Sequence, residues 1–194
     1  MIHESWPWRR ELLRSADRLE KRASQRRWLA QTSVSVERDI MLGAYAVRRL
    51  VEASKVTRKT AETRFPVRRF DLIDAMPDAR NRHDLEVLFD LEHGSEATLT
   101  TARLCNQIVH SWIFTISAPE TGYGMDGIYV SSDKARREHL YFVPLTSLLE
   151  LFRSVGEEQI VSITMRYDSR GEAYWTGLIA PRDAAPTSAE PSEP

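Results

Sequence analysis

The stretch LTTARLCNQIVHSWIFTI, residues 99–116, decides the fold because its hydrophobic spacing changes within it. Over residues 99–112, Leu104 and Ile108 recur at helical spacing, which predicts a helix that Thr98 can cap. The residues that follow are β-branched or aromatic, and they predict a strand. A helix followed at once by a strand is typical of an α+β chain.

Further β-type runs continue through the second half of the chain. They lie at residues 128–130, 140–143, 159–167 and 172–179. The last two flank Asp-Ser-Arg-Gly, whose Gly171 suits the positive φ of a hairpin turn. Between Pro144 and Gly156 a leucine-rich segment predicts one inserted helix, which Gly156 ends. The expected result is an antiparallel sheet of four or five strands.

Residues 1–57 predict a basic helical hairpin. Apolar residues recur three and four apart over residues 4–30, which indicates a first amphipathic helix. Ser35 is a suitable N-cap for a second helix over residues 35–56. Since residues 31–33 leave only a short turn, the two helices are predicted to be antiparallel neighbours.

Two middle segments have less regular patterns. Residues 57–80 contain Pro66 and Pro77 and show no steady periodicity, which predicts a connector with one short element over residues 70–75. Apolar and charged residues alternate over residues 84–91. This alternation favours a short strand, although a pair of helical turns fits the same residues.

The 194 residues therefore predict one α+β domain over residues 1–180. We expect an N-terminal helical hairpin plus a third helix packed on a four- to five-stranded antiparallel sheet. The basic helical hairpin takes residues 1–57, and a helix plus the β-rich half takes residues 98–180. Residues 181–194 are mainly Pro, Ala, Ser and acids, and this composition predicts a disordered tail.

Charge is divided unevenly along the chain, although the net charge is only −1. Residues 1–70 hold 17 Lys and Arg against 8 Asp and Glu, a net charge of +9. The remaining residues hold 10 against 20, a net charge of −10. The first half could present a face to nucleic acid, or the two halves could attract and neutralise each other.

A basic stripe is predicted on the first helix. Arg10, Arg14, Arg18 and Arg22 are spaced by four, with no acid at that spacing between them. Such a stripe is usually a solvated face. It is also the pattern of a nucleic-acid-binding surface, because each arginine can contact a backbone phosphate.

Several familiar kinds of site are not expected. Residues 122–127 match G-x-G-x-x-G, but a strand follows them where a dinucleotide site needs a helix, so we predict a flexible connection between strands. His83 and His93 are ten residues apart without further ligands, which predicts surface histidines. Cys105 lies inside a helix and lacks the usual activation of a thiolate. No cofactor and no metal are predicted.

The sequence also predicts a cytoplasmic protein without membrane contact. No apolar run approaches the roughly 18 residues of a membrane span. The N-terminal residues MIHESWPWRR lack the apolar segment of a signal peptide, and the single cysteine cannot form an internal disulfide.

Arg103, Asn106 and His110 form the one constellation that suggests chemistry. They stand at i, i+3 and i+7, which places all three on one stripe of a helix. Arginine can hold a phosphate, histidine can move a proton near neutral pH, and an amide can orient either. Together they could cleave RNA through its 2′-hydroxyl. In the alternative interpretation, Asn106 and His110 are a buried polar latch between helix and sheet.

Arg103, six residues and His110 on one helix resemble the R-x4-6-H motif of the HEPN superfamily. Those α-helical modules are common in bacterial toxin, antitoxin and defence systems, and many are dimeric ribonucleases whose motifs face each other across the dimer. In that family a polar residue normally follows the arginine, whereas Leu104 follows Arg103 here.

The resemblance implies an HEPN-like bacterial intracellular protein that binds or cleaves RNA in a stress or defence system. It also implies RNA and a second copy of the chain as partners. The alternative is a non-enzymatic accessory or immunity-type protein that binds another protein through its charged halves.

Overall fold

A computed structural model describes residues 4–73, 76–120, 122–160, 162–167, 169–170 and 173–179. Its helices are α1 Trp6–Glu20, α2 Ala30–Glu52, α3 Arg58–Glu62, α4 Leu85–Leu88, α5 Thr101–Val109 and α6 Leu145–Glu157. Its strands are β1 Arg64–Asp71, β2 Ser95–Thr100, β3 Ser111–Ser117, β4 Gly127–Ser132, β5 His139–Pro144, β6 Ser162–Tyr167 and β7 Ala173–Ile179.

Strands β1 to β5 form one antiparallel sheet in the order β2-β1-β5-β4-β3. Helix α5 connects β2 at one edge to β3 at the other, so it crosses one face of the sheet. This arrangement confirms the predicted α+β class, with the N-terminal helices, the third long helix and a five-stranded antiparallel sheet. Strands β6 and β7 pair as predicted, but they form a separate two-stranded sheet.

The helical hairpin is confirmed, and its helix bounds differ from those predicted. Arg18 of α1 contacts Asp39 of α2, while Arg9 donates a hydrogen bond to the carbonyl of Lys55 just beyond α2. Since an earlier residue of α1 meets a later residue of α2, the helices run antiparallel. Arg9 also donates to the Val155 carbonyl of α6 at 3.1 Å, so this buried guanidinium ties α1 to both helices.

The predicted bounds of both helices are wrong at the turn between them. Helix α1 ends at Glu20 rather than near residue 30, and α2 begins at Ala30 rather than at Ser35. No Gly or Pro occurs between these points to mark a helix end in the sequence. The turn is fixed instead by a distant contact, because the Arg22 carbonyl accepts a hydrogen bond from the Met125 backbone N–H.

Strand β1 was predicted as part of a connector, and this prediction is wrong. Phe65, Val67 and Phe70 of β1 are buried, although charged residues and Pro66 separate them in the sequence. Pairing with β2 and β5 gives the segment its structure. Pairing with distant strands therefore outweighs the weak strand propensity of the segment itself.

The start of the third long helix and the short element before it also differ from expectation. Residues 95–100 form β2, and the cap of α5 is Thr100 rather than Thr98: its side chain accepts from the Arg103 N–H. Residues 85–88 form helix α4 instead of the favoured strand. One helical turn forms rather than the pair that the alternative predicted, with Leu85 and Leu88 buried one turn apart and Phe89 bridged to Leu72.

The core has two layers, one on each face of the sheet. The larger cluster joins α1, α2, α5 and α6 to the strand residues that face them. The smaller one lies around α4 and contains Phe70, Leu88, Phe89 and Leu140. Neighbouring residues of β5, such as Leu140 and Tyr141, belong to different clusters, as strand alternation requires. The sheet thereby holds α5 with one side against the core and the other in solvent.

Candidate functional site

Helix α5 presents the predicted site residues to solvent. Leu104, Cys105 and Ile108 are fully buried, so the opposite side of the helix is exposed. Asn106 and His110, the two residues of the alternative buried latch, are both exposed. The alternative in which these two side chains are a buried latch is therefore wrong.

Gln107 makes the polar link between helix and sheet that the sequence interpretation assigned to its neighbours. Its Oε1 accepts a hydrogen bond from the Ser132 backbone N–H at 2.8 Å, which joins α5 to β4. The His110 carbonyl accepts from the Asp133 N–H at 3.1 Å. These two contacts fix the C-terminal end of α5 and leave the His110 ring free to face outward.

A cavity of about 720 Å³ lies beside α5, and we call it the α5 cleft. Arg103, Asn106 and His110 all line this cleft. The other lining residues come from α2, β2, α5 itself and the β4–β5 region: Arg48, Leu99, Gln107, Ser132, Asp133, Lys134, Ala135, Glu138, His139 and Tyr141. The structure thus brings together the three residues that the sequence singled out.

Arg48 is the site residue that sequence reasoning missed. Its Nη1 lies 2.8 Å from His110 Nε2, and its Nε donates to Glu52 at 2.7 Å. Because a guanidinium can only donate, His110 Nε2 must accept, which places the ring proton on Nδ1. Arg48 lies 62 residues before His110, and no sequence spacing connects the two.

The α5 cleft carries a small excess of positive charge. Arg48, Arg103 and Lys134 stand against Asp133 and Glu138. Two residues outside the lining pair with residues of the cleft: Arg136 with Asp133 at 3.0 Å, and Glu52 with Arg48 at 2.7 Å. The guanidinium of Arg103 has no carboxylate partner among the described residues.

A second histidine, His139, forms part of the cleft wall. Its side chain is only 13 % exposed, its ring packs edge-on against Tyr141 at 4.7 Å, and its Nδ1 is buried without a hydrogen-bond partner. Burial lowers the pKa of His139, and the nearby Arg69 lowers it further. The folded protein therefore favours a neutral ring at this position.

This burial predicts a pH dependence of stability. The ordinary histidine pKa is about 6.5. Below that pH the unfolded chain binds a proton at His139 more readily than the folded chain does. The free energy of unfolding therefore decreases as the pH falls below 6.5. Urea unfolding at pH 7.5 and 5.5 should show a larger loss for wild type than for His139→Gln. Equal losses would contradict the assignment. Other groups, such as His93 beside Asp90, contribute equally to both proteins.

The predicted basic stripe is only partly present on α1. Helix α1 ends before Arg22, which bonds Gln25 in the following turn. Arg10 lies over the Trp6 ring at 4.3 Å, and Arg14 is 3.7 Å from Glu11. These arginines do not form one continuous phosphate-facing row.

Arg18 is held by an acid within the helical hairpin itself. Its Nε and Nη2 donate to the two Asp39 oxygens at 2.8 and 3.0 Å, and the Asp39 side chain is only 7 % exposed. The hydrogen bonds that Arg18 donates to Asp39 raise the pKa of Arg18. Both partners belong to the basic first half, so this pair is not an attraction between the two halves of the chain.

Arg18→Ala should therefore lower stability rather than weaken binding of a nucleic acid. Buried Asp39 would lose both hydrogen bonds from Arg18 and keep only the longer contact with Arg38 at 3.7 Å. We expect a loss of about 1 to 2 kcal/mol, reduced from the fully buried case because Arg18 is 37 % exposed. Arg14→Ala is the matched control, since both members of its pair are more than half exposed and its change should be within about 0.5 kcal/mol. Urea unfolding measures both. An equally small loss of unfolding free energy in both variants would show that the Arg18 ion pair contributes no more than a solvent-exposed one.

The other motifs also take definite places. Gly122 and Gly124 have φ of 79° and 83° in the connection between β3 and β4, with no helix after them. A side chain at Gly124 would meet the Ala23 carbonyl, so this glycine permits close approach to the α1–α2 turn. Burial raises the pKa of Cys105 to about 12.

The predicted surface positions of His83 and His93 are confirmed by their exposure. Within the described ranges, no group of three or more His, Cys, Asp or Glu side chains is placed to hold a metal ion. Nor does any helix there have the length and apolar character to cross a membrane.

No protein-family model matches this sequence, and neither a curated protein nor a solved structure is detectably similar to it.

Proposed function

We propose that this protein binds RNA in the α5 cleft and cleaves it through the 2′-hydroxyl. The observation that carries the proposal is the exposed His110, whose Nε2 accepts from Arg48 in a cleft that Arg103 and Asn106 also line. Proton transfer and stabilisation of phosphate charge need these side chains within reach of one phosphodiester. The similarity of Arg103-x6-His110 to the HEPN motif supports the same chemistry.

Binding of a phosphate would prepare His110 for its role. In the free protein, Arg48 donates to a neutral nitrogen. A phosphate oxygen carries charge and is the stronger acceptor, so RNA draws the Arg48 guanidinium onto its backbone and releases Nε2. Arg103 adds a second guanidinium, and the Asn106 amide orients the phosphodiester.

The reaction is a transesterification within the RNA. The 2′-oxygen forms a bond to phosphorus, and the bond between phosphorus and the 5′-oxygen breaks. The proton of the 2′-hydroxyl goes to His110 Nε2, and solvent supplies the proton taken up by the 5′-oxygen. Arg48 and Arg103 stabilise the charge that develops on the non-bridging oxygens.

The test is incubation of excess purified protein with a labelled RNA that contains single-stranded and hairpin segments. The expected products end in a 2′,3′-cyclic phosphate and a 5′-hydroxyl, which mass spectrometry identifies. Products with a 5′-phosphate would contradict the reaction, because water rather than the 2′-oxygen would then be the nucleophile.

Binding of another protein is the second candidate function, and the exposed side of α2 favours it. Val34, Leu42 and Tyr45 are 58 %, 61 % and 45 % exposed and lie on one face of that helix. Apolar side chains grouped on an exposed helix are typical of a protein contact. A wild type that neither binds nor cleaves RNA would favour this candidate.

A further inference from the structure

A groove follows strand β3 along the edge of the five-stranded sheet. Two cavities of about 500 and 340 Å³ share four lining residues, which makes them one continuous depression, the β3 groove. The shared residues are Glu37, His83, Phe114 and Thr115. Among the described strands, β3 pairs only with β4, so its other edge borders the groove.

The groove ends beside the α5 cleft, although the two share no lining residue. Its near end is lined by Ser111 and Trp112, and Ser111 is the residue after His110. Arg136 bridges the two regions: its guanidinium lies 4.1 Å over the Trp112 ring, and its Nε donates to Asp133 of the cleft. A chain lying along β3 therefore arrives at the proposed reacting histidine.

The far end of the groove carries aromatic faces beside positive charge. Tyr123 is 43 % exposed, with the Arg26 guanidinium 5.7 Å from the centre of its ring. Trp28 is half-buried, and its Nε1 donates to Ser33 Oγ at 2.8 Å, which fixes the plane of the indole. Rigid aromatic rings accept nucleobases by stacking, and this stacking tolerates any sequence.

Two arginines also line the groove, against one acidic residue. Arg26 lines its far part and Arg82 its near part. Neither forms an ion pair with a carboxylate among the described residues, in contrast to Arg18 of α1. Glu37 is the acidic residue in both parts of the lining, so the groove is positive overall.

We infer that the β3 groove binds single-stranded RNA and delivers it to the α5 cleft. This inference rests on the proposed function and narrows its substrate class. Bases stack on Tyr123 and Trp28, while Arg26 and Arg82 bind phosphates. A duplex does not fit this arrangement, because its base faces are already stacked and unavailable to the aromatic side chains.

An extended peptide is the other kind of chain that an open sheet edge can take. Backbone hydrogen bonding to β3 would not require a stacking platform or unpaired arginines. The combination of Tyr123, Trp28 and Arg26 at one end of the groove therefore favours RNA.

The test measures binding of a fluorescein-labelled, 2′-O-methyl single-stranded RNA of ten nucleotides, which cannot be cleaved through its 2′-oxygens. Tyr123→Ala should raise Kd by about fivefold to a hundredfold, the range for loss of one base-stacking contact. Tyr45→Ala is the matched control, since Tyr45 is 45 % exposed but lies on α2 outside the groove, and its Kd should equal that of wild type. Arg82→Ala should flatten the dependence of log K on log salt by about one unit or less.

The outcomes separate the groove from the proposed chemistry. Tight binding that needs Tyr123, in a protein that cleaves no RNA, would support the groove and overturn the proposed reaction. Cleavage by a protein in which Tyr123→Ala and Tyr45→Ala bind equally well would overturn the groove and leave the reaction standing. Duplex bound as tightly as single strand, or a labelled (Glu-Val)4 peptide bound in place of RNA, would also overturn the inference.

Discussion

His110→Ala is expected to lower the rate of RNA cleavage by at least about a hundredfold, the usual contribution of a group that transfers a proton in the transition state. Stability should change little, because the His110 side chain is exposed and its one described partner is Arg48, which is itself partly exposed. Cleavage is measured by gel with protein in excess, and stability by thermal unfolding. The variant also controls for contaminating ribonucleases, since it is purified identically.

His93→Ala provides the matched control for this replacement. His93 is also exposed, its side chain hydrogen-bonds Asp90, and it does not line the α5 cleft. Its cleavage rate should equal that of wild type.

Arg103→Lys should cleave RNA more slowly than wild type, because an ammonium does not replace the planar fork of a guanidinium on phosphate. Wild-type cleavage by His110→Ala, or a marked loss of its stability, would remove His110 from the reaction.

Gly43→Val is expected to destabilise the fold by about 3 kcal/mol, at the upper end of the usual range for overpacking. Gly43 lies inside α2, and a Cβ atom there would lie under 3.0 Å from three atoms of the Phe152 ring. Phe152 of α6 is fully buried and cannot move into solvent. Urea unfolding measures the loss. The close packing matters for the site because α2 also carries Arg48.

A second substitution tests whether the loss comes from the clash with Phe152 or from any larger side chain at this position of α2. Phe152→Leu should recover part of the loss in the double variant, since it removes the ring that the new side chain meets. Gly156→Ala is the control, because its nearest neighbour is the flexible end of the Leu13 side chain. Gly156→Ala should lower the free energy of unfolding clearly less than Gly43→Val does. Additive losses in the double variant would show that the clash is not with Phe152.

Sequence patterns predicted the elements that bury one continuous face. The inserted helix near Leu148, the strands around Ile128 and Leu140, and the inward side of α5 at Leu104 all follow from local periodicity. Such elements carry their own hydrophobic signal, and tertiary contacts only complete it.

The sequence failed where non-local contacts decide the structure. Arg64–Asp71 looks like a charged connector, but two neighbouring strands make it the second strand of the sheet. The stripe of Arg10 to Arg22 assumed a longer helix than the turn beside Met125 allows. Local periodicity contains no information about either partner.

The candidate site divides in the same way. Arg103, Asn106 and His110 could be grouped from their spacing on one predicted helix, although α5 ends at Val109 and His110 caps it. Arg48 could not, because it reaches His110 only when α2 packs beside α5. The same is true of the β3 groove, whose Trp28 and Tyr123 lie almost a hundred residues apart in the chain.

The most direct measurement of the central claim uses an RNA with one 2′-O-methyl group at a mapped cleavage site. If the α5 cleft drives attack by the 2′-oxygen, cleavage at that position should stop while unmodified positions are still cut to 2′,3′-cyclic phosphates. Unchanged cleavage at the methylated position would contradict the account, and so would the absence of cleavage in the unmodified RNA at excess protein.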